Sequence, residues 1–243
     1  TTMSEGYKDK PEELTVLLND LLTPLTHEIM DQKGTIDKYM GDAIMAFWNA
    51  PVDVPNHPRI GCEAAIKMMI ALEVLNRELI GSGRISEPLK IGIGLNTGEV
   101  TVGNLGSEQR FDYSCLGDAI NLGSRLEGLS KAYGVPIVIG ESTYNVLDEP
   151  PSDAEVVLLD HVIVKGKSIP VAIYGIIPHE NYNTDWCADH NTLMGLIERE
   201  VWDEVETVLG RLRDLDSYPA ELLDQVIYRF ENKVSAVREM TTK

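Results

Sequence analysis

Two short stretches set charged and polar side chains into otherwise apolar runs. Between Thr35 and Phe47, Lys38 and Asp42 stand on either side of Gly41. Between Tyr113 and Leu126, Ser114, Asp118, Asn121 and Arg125 interrupt the apolar framework. Asn121 and Arg125 are four positions apart, so a helix brings both to one face. A core strand or helix has no structural need of these groups at these points. Their chemistry suits a polyanion held with a metal. Carboxylates take hard divalent cations, and lysine and arginine take phosphate oxygens.

The bulk composition narrows the partner. With 39 acidic and 21 basic residues the formal charge is -18, so nothing draws the chain toward DNA, RNA or an anionic membrane. A small anion needs a local group of cations, or a metal, to offset that field. In 243 residues, 43% hydrophobic and 25% charged, there is room for one large domain, or one domain and an appendage. Cys62, Cys115 and Cys187 are odd in number and form no CxxC pair, which reads as reduced thiols in a cytoplasmic protein. No run approaches the ~20 apolar residues of a membrane span, and no signal peptide opens the chain. The start at Thr1, Thr2 and Met3 resembles the middle of a domain and reads as a fragment of a longer polypeptide.

The elements that must position these residues follow from periodicity. Leu14, Leu17, Leu18, Leu21, Leu22, Leu25 and Ile29 recur at helical spacing, predicting a helix over 11–32 with Pro11 in its first turn. Two short strands, 35–40 and 43–48, hinge at Gly41 and Asp42 as a β-hairpin. A second helix is expected over 59–79, with Ala65, Met68, Met69 and Leu72 on one face. Alternation predicts a strand over 89–95 and another over 99–102. Gly92, Gly94 and Gly98 have the wrong spacing for a dinucleotide fingerprint and suit close packing of a strand against a neighbour. Residues 117–133 read as a helix stopped at Gly134, with Asp118 as a structural cap at its start. Strands over 136–139, 156–164 and 171–177 complete an α/β sandwich around one mixed sheet. Beyond Pro178 two helices, 191–214 and 219–240, form a C-terminal hairpin that packs on the domain or mediates self-association. His57, His161 and His179 have no assigned role.

These motifs, in this order, resemble the catalytic domain of class III nucleotidyl cyclases over about residues 1–178, with 179–243 as the helical extension. The resemblance implies an α+β, ferredoxin-like domain that works as a head-to-tail homodimer, each site completed by both chains. It implies a two-metal site for Mg²⁺ or Mn²⁺. Asp42 matches one metal carboxylate, and the second is expected in a strand upstream of Thr1. Lys38 and Ser114 match the base-reading positions, where lysine donates to adenine N1 and guanylate-forming relatives carry glutamate. Serine departs from the aspartate of the mammalian membrane enzymes but is usual among bacterial relatives. Its hydroxyl donates or accepts equally well, so the base choice rests mainly on Lys38. Asn121 and Arg125 match the transition-state pair, for the ribose and the α-phosphate. Lys165 matches the lysine for the β- and γ-phosphates, with Lys167 a close competitor.

The resemblance therefore implies an adenylate cyclase acting on ATP, in the cytoplasm or as the cytoplasmic part of a membrane-anchored protein. Two rivals stay open at this point. One is a catalytically silent cyclase-like module for dimerisation or nucleotide sensing. The other is guanylate or diguanylate synthesis; Lys38 opposes the first, and the absence of a Gly-Gly-Asp/Glu-Glu-Phe signature opposes the second.

Overall fold

A computed structural model describes residues 10–164, 170–234 and 238–240. The expectations placed on Thr1, Thr2, Lys165 and Lys167 fall outside the described residues. The chain divides into two compact units, Thr1–Lys90 with Val102–Cys115, and Ile91–Thr101 with Leu116–Lys243.

The first unit is built on two helices. Helix α1 (Pro11–Asp31) opens on a proline whose fixed φ suits the first turn, with Glu12 and Glu13 facing the positive end of the dipole. Leu17, Leu21, Leu25 and Ile29 form its buried stripe. Burial of each such side chain is worth about 1.5–3 kcal/mol, which carries the helix through Pro24 and the hydrogen bond that proline removes. This stripe packs on α2 (His57–Gly81), whose Cys62, Ala65, Met68, Met69, Leu72 and Leu79 are buried. Strands β1 (Thr35–Met40) and β2 (Ala43–Phe47) pair antiparallel. Strands β4 (Thr101–Ser107) and β5 (Arg110–Leu116) form a second two-stranded sheet.

The strand expected over 89–95 is only Ile93–Leu95, β3. The buried amide of Asn76 explains the late start. It donates to Leu89 O at 2.9 Å and accepts from Leu89 N at 2.7 Å, so both backbone groups that would enter a ladder are already used. The strand expected over 99–102 begins at Thr101 and runs on to Ser107, and β5 was not foreseen. Its seven residues alternate poorly in burial, and a polar turn separates it from β4.

The second unit carries a mixed sheet in the order β3-β6-β8-β7-β9, with β6 at Ile137–Gly140, β7 at Ala154–Val164, β8 at Val171–Pro178 and β9 at Arg238–Met240. β3 and β6 run parallel; β8 is antiparallel to both β6 and β7. Among the described residues there are thus three sheets where one was expected. The two hairpins satisfy only their own ladders. Helix α3 (Asp118–Tyr133) lies across β3 and β6, ending at Gly134 in the left-handed conformation, φ 64°. A single turn, α4 (Glu141–Tyr144), follows β6.

The tail departs from the expected pair of helices. It forms α5 (Cys187–Glu198), α6 (Trp202–Arg213) and α7 (Ala220–Asn232). The break falls at Glu200, held at φ 58° with no glycine or proline to announce it. Trp186, Leu193, Ile197, Val205, Leu209, Leu222 and Val226 join one buried cluster with Leu126, Leu129 and Val157. The helices thus share the core of the sheet. Arg229 of α7 pairs with Asp160 of β7, and Tyr133 of α3 donates to the same carboxylate at 2.7 Å.

Candidate functional site

In the first unit, the β1–β2 hairpin presents the residues of the first motif. Its entry is tightly held. Trp48 Nε1 donates to Gln32 O at 3.0 Å, and Thr35 Oγ1 to Ala50 O at 2.7 Å. A Cβ on Gly34 would meet Ile29 Cγ2 at 2.5 Å and Trp48 Cζ2 at 2.9 Å, so only glycine lets the strand leave the helix here. The two-residue turn has Gly41 at φ 67°, the first central position where glycine is favoured. Asp42 follows it, exposed at the tip. A projecting carboxylate is a hard oxygen donor of the kind Mg²⁺ and Mn²⁺ take, so the residue present fits a divalent cation. Among the described residues no three His, Cys, Asp or Glu side chains form a metal cluster. Asp42 is therefore one donor rather than a complete site.

Ile36 pairs with Ala46 and Lys38 with Met45, so Asp37 is an extra residue, a β-bulge. In a regular strand Asp37 and Lys38 would face opposite sides. The bulge removes that alternation, and Lys38 Nζ stands 3.2 Å from Asp37 Oδ1. The contact is coulombic, since the ammonium lies off line for a hydrogen bond to that oxygen. The Asp37 side chain is 0% exposed while that of Lys38 is 45% exposed. From β5, Ser114 Oγ donates to the other oxygen, Oδ2, at 2.5 Å. Cys115 Sγ lies 4.0 Å from the same atom. Burial first, and then the Asp37 carboxylate, push the Cys115 thiol up, with Lys38 pulling the other way. Phe47 and Tyr113 rings meet at 6.0 Å beside this group. Lys38 and Ser114 thus converge on one buried carboxylate that the sequence reading passed over. The signal available was two adjacent charges in a six-residue strand, a pattern that strict alternation does not accommodate.

In the second unit, α3 carries Asn121, exposed, and Arg125, half-buried, one turn apart. The adjacent face buries Leu122, Leu126 and Leu129. Three glycines let the preceding segment approach the helix. A Cβ on Gly94 would lie 2.2 Å from Glu127 N, one on Gly92 2.0 Å from Ser130 Oγ, and one on Gly98 2.8 Å from Ala119 Cβ. Close packing is thus what these glycines do. Asn96 donates to Ala119 O at 3.0 Å and accepts from Ser142 Oγ at 2.8 Å, tying the first turn of α3 to α4. Asp118 is the first helical residue, after Gly117, and puts an acidic side chain in the first turn of the helix. A cleft of about 320 Å³ opens beside it, with Glu99, Asp118 and Glu141 in its lining. Among the described lining residues there are three carboxylates and no cation, so these residues by themselves do not suit a phosphate.

The chain matches the model of the adenylate and guanylate cyclase catalytic domain over residues 1–178. It is 39% identical over 179 residues to an adenylate cyclase of Anabaena cylindrica, spanning 72% of this chain and 34% of that protein. It is 31% identical over 182 residues to adenylate cyclase 1 of Rhizobium meliloti, spanning 73% and 26%. Among solved structures it is similar to the guanylyl cyclase Cya2, with TM-score 0.63, 33% identity and coverage of 75% and 88%. It is also similar to the adenylyl cyclase CyaB from P. aeruginosa, with TM-score 0.62, 32% identity and coverage of 70% and 85%. The aligned chain spans about a third or less of these two curated relatives. Among the described residues no helix is long and apolar enough to cross a membrane.

Proposed function

The chain belongs to the adenylate and guanylate cyclase catalytic domain family, and we propose that it is an adenylate cyclase converting ATP to 3′,5′-cyclic AMP and pyrophosphate. The observation that carries the choice of base is Lys38 beside Ser114, both on the buried Asp37. An ammonium only donates; adenine N1 accepts, whereas guanine presents a donor at that position. The ribose 3′-hydroxyl attacks the α-phosphorus in line, and pyrophosphate leaves. Asn121 orients the ribose, and Arg125 meets the charge that builds on the α-phosphate oxygens. Lys165 holds the β- and γ-phosphates. Asp42 would hold Mg²⁺ or Mn²⁺, whose charge when bound would lower the pKa of the 3′-hydroxyl and offset that of the triphosphate.

The site is shared in a head-to-tail homodimer, with Asp42 from one chain and Lys38 and Arg125 from the other. The free thiols of Cys62, Cys115 and Cys187 suit a reducing compartment, so the domain is read as cytoplasmic, alone or within a membrane-anchored protein. The test is to supply the purified chain with ATP and with GTP, in Mg²⁺ and in Mn²⁺, and identify products by mass. Cyclic AMP from ATP, abolished by Asp42→Ala, is expected. Cyclic GMP formed with equal or better kcat/KM would refute the adenine assignment. No product from either nucleotide, with ATP still bound, would favour a silent nucleotide-sensing module.

A further inference from the structure

The geometry points to Asp37 as the positioning residue that sets the polarity of the base-reading hydroxyl. It accepts the hydrogen bond of the Ser114 hydroxyl and so leaves that serine's lone pairs to accept from the 6-amino group of adenine. The inference rests on the cyclase reading and deepens it.

A serine hydroxyl has one proton and two lone pairs, and alone it suits adenine or guanine equally. Here the hydroxyl is not alone. Asp37 Oδ2 lies 2.5 Å from Ser114 Oγ, and a carboxylate can only accept. The proton is therefore spent inward, and the lone pairs are what remain for a ligand. Lys38 can only donate, and its ammonium stays partly exposed beside the other carboxylate oxygen. The pair presents one donor and one acceptor. Adenine offers the complement at N1 and the 6-amino group; guanine offers the reverse at both positions. Ser114 is only 5% exposed, so a mismatched base would leave a polar group unpaired out of water, where that is costly. The bulge makes the arrangement possible, because regular pairing would turn Asp37 away from Lys38.

Asp37→Asn should reverse the serine. Lys38 has no acceptor, so the new amide turns its oxygen to Lys38 and its NH₂ to Ser114. The hydroxyl then accepts inward and donates outward. The test measures, by calorimetry, the binding of ATP and of purine riboside triphosphate, which lacks the 6-amino group but keeps N1. The wild-type chain should prefer ATP by about tenfold, the worth of one hydrogen bond. Asp37→Asn and Ser114→Ala should each bring the ratio near one, and Asp37→Asn should add nothing once Ser114 is alanine. Ser114→Asp alone sets two carboxylates together and should lose ATP binding; combined with Asp37→Asn it should regain the preference. That double variant against Ser114→Asp alone decides the matter if Asp37→Asn does not fold. An unchanged ratio in Asp37→Asn, an effect persisting in the Ser114→Ala background, or a double variant no better than Ser114→Asp would each overturn the inference. If these ratios behave as stated while ATP is bound but not cyclised, the cyclase reading fails instead. A wild-type chain that binds neither nucleotide overturns both.

Discussion

Replacing Gly94 with alanine should shift the helix that carries Asn121 and Arg125. The new Cβ would stand 2.2 Å from Glu127 N, 2.3 Å from Gly123 O and 2.8 Å from Glu127 Cα, where ordinary contact is 3.4–4 Å. All three are backbone atoms of α3, so no side chain can swing aside. Relief needs about 1 Å of added separation between β3 and the helix in a close-packed interior. Overpacking of this kind costs about 1–3 kcal/mol, which for a chain of this size lowers Tm by roughly 2–10 °C. A displacement of about 1 Å at catalytic groups can cost on the order of a hundredfold in rate. The assay pairs thermal unfolding with kcat for cyclic AMP formation. Gly128→Ala on the same helix is the control, since a Cβ there meets nothing within 4 Å. It should leave kcat unchanged and add about 0.5–1 kcal/mol of stability from helix propensity. A Gly94→Ala protein with unaltered Tm and kcat would refute the close-approach argument. A lowered Tm with unaltered kcat would refute only the link from β3 to the reacting face.

Arg229→Met strands the Asp160 carboxylate, 1% exposed, and should cost about 3–5 kcal/mol; a loss below about 1 kcal/mol in urea unfolding would contradict the pairing. His190 is fully buried. Its Nε2–H donates to Leu158 O at 2.8 Å, which leaves Nδ1 to accept from Tyr218 OH at 2.7 Å. Burial pulls its pKa down from 6.5 to about 4. The unfolded chain therefore binds the extra proton first, so stability falls as pH drops from about 6.5 to about 4. The loss amounts to roughly 3 kcal/mol. Unfolding free energies for wild type and His190→Gln across that range should differ in slope, and parallel slopes would count against this assignment. Mixing inactive Asp42→Ala with inactive Arg125→Ala should restore one site per heterodimer, whereas Lys38→Ala with Arg125→Ala should not. Absence of the first rescue in confirmed heterodimers would sink the shared site.

Local signals carried far in this chain. The leucine repeat predicted α1 to within a residue, the glycine and aspartate turn predicted the β1–β2 hairpin, and apolar spacing with Gly134 bounded α3. Each depends on interactions a few positions apart, which the order of residues states directly. The same is true of Asn121 and Arg125 sharing a helical face. What the chain order could not show was decided by partners distant along it. Asn76 consumes the backbone of Leu89, thirteen positions on, and delays a strand that alternation predicted. Glu200 breaks a helix through its own backbone conformation, with no residue type that signals it. The tail helices belong to the core because their apolar faces meet the sheet, and amphipathicity alone leaves the partner open. The site shows the division most clearly. Lys38 and Ser114 were legible as residue types, but the hydroxyl had no defined polarity. A bulge turns Asp37 beside Lys38, and a side-chain hydrogen bond joins it to a serine seventy-seven positions away. Only that tertiary contact, by accepting the hydroxyl's hydrogen bond, turns an ambiguous group into an acceptor.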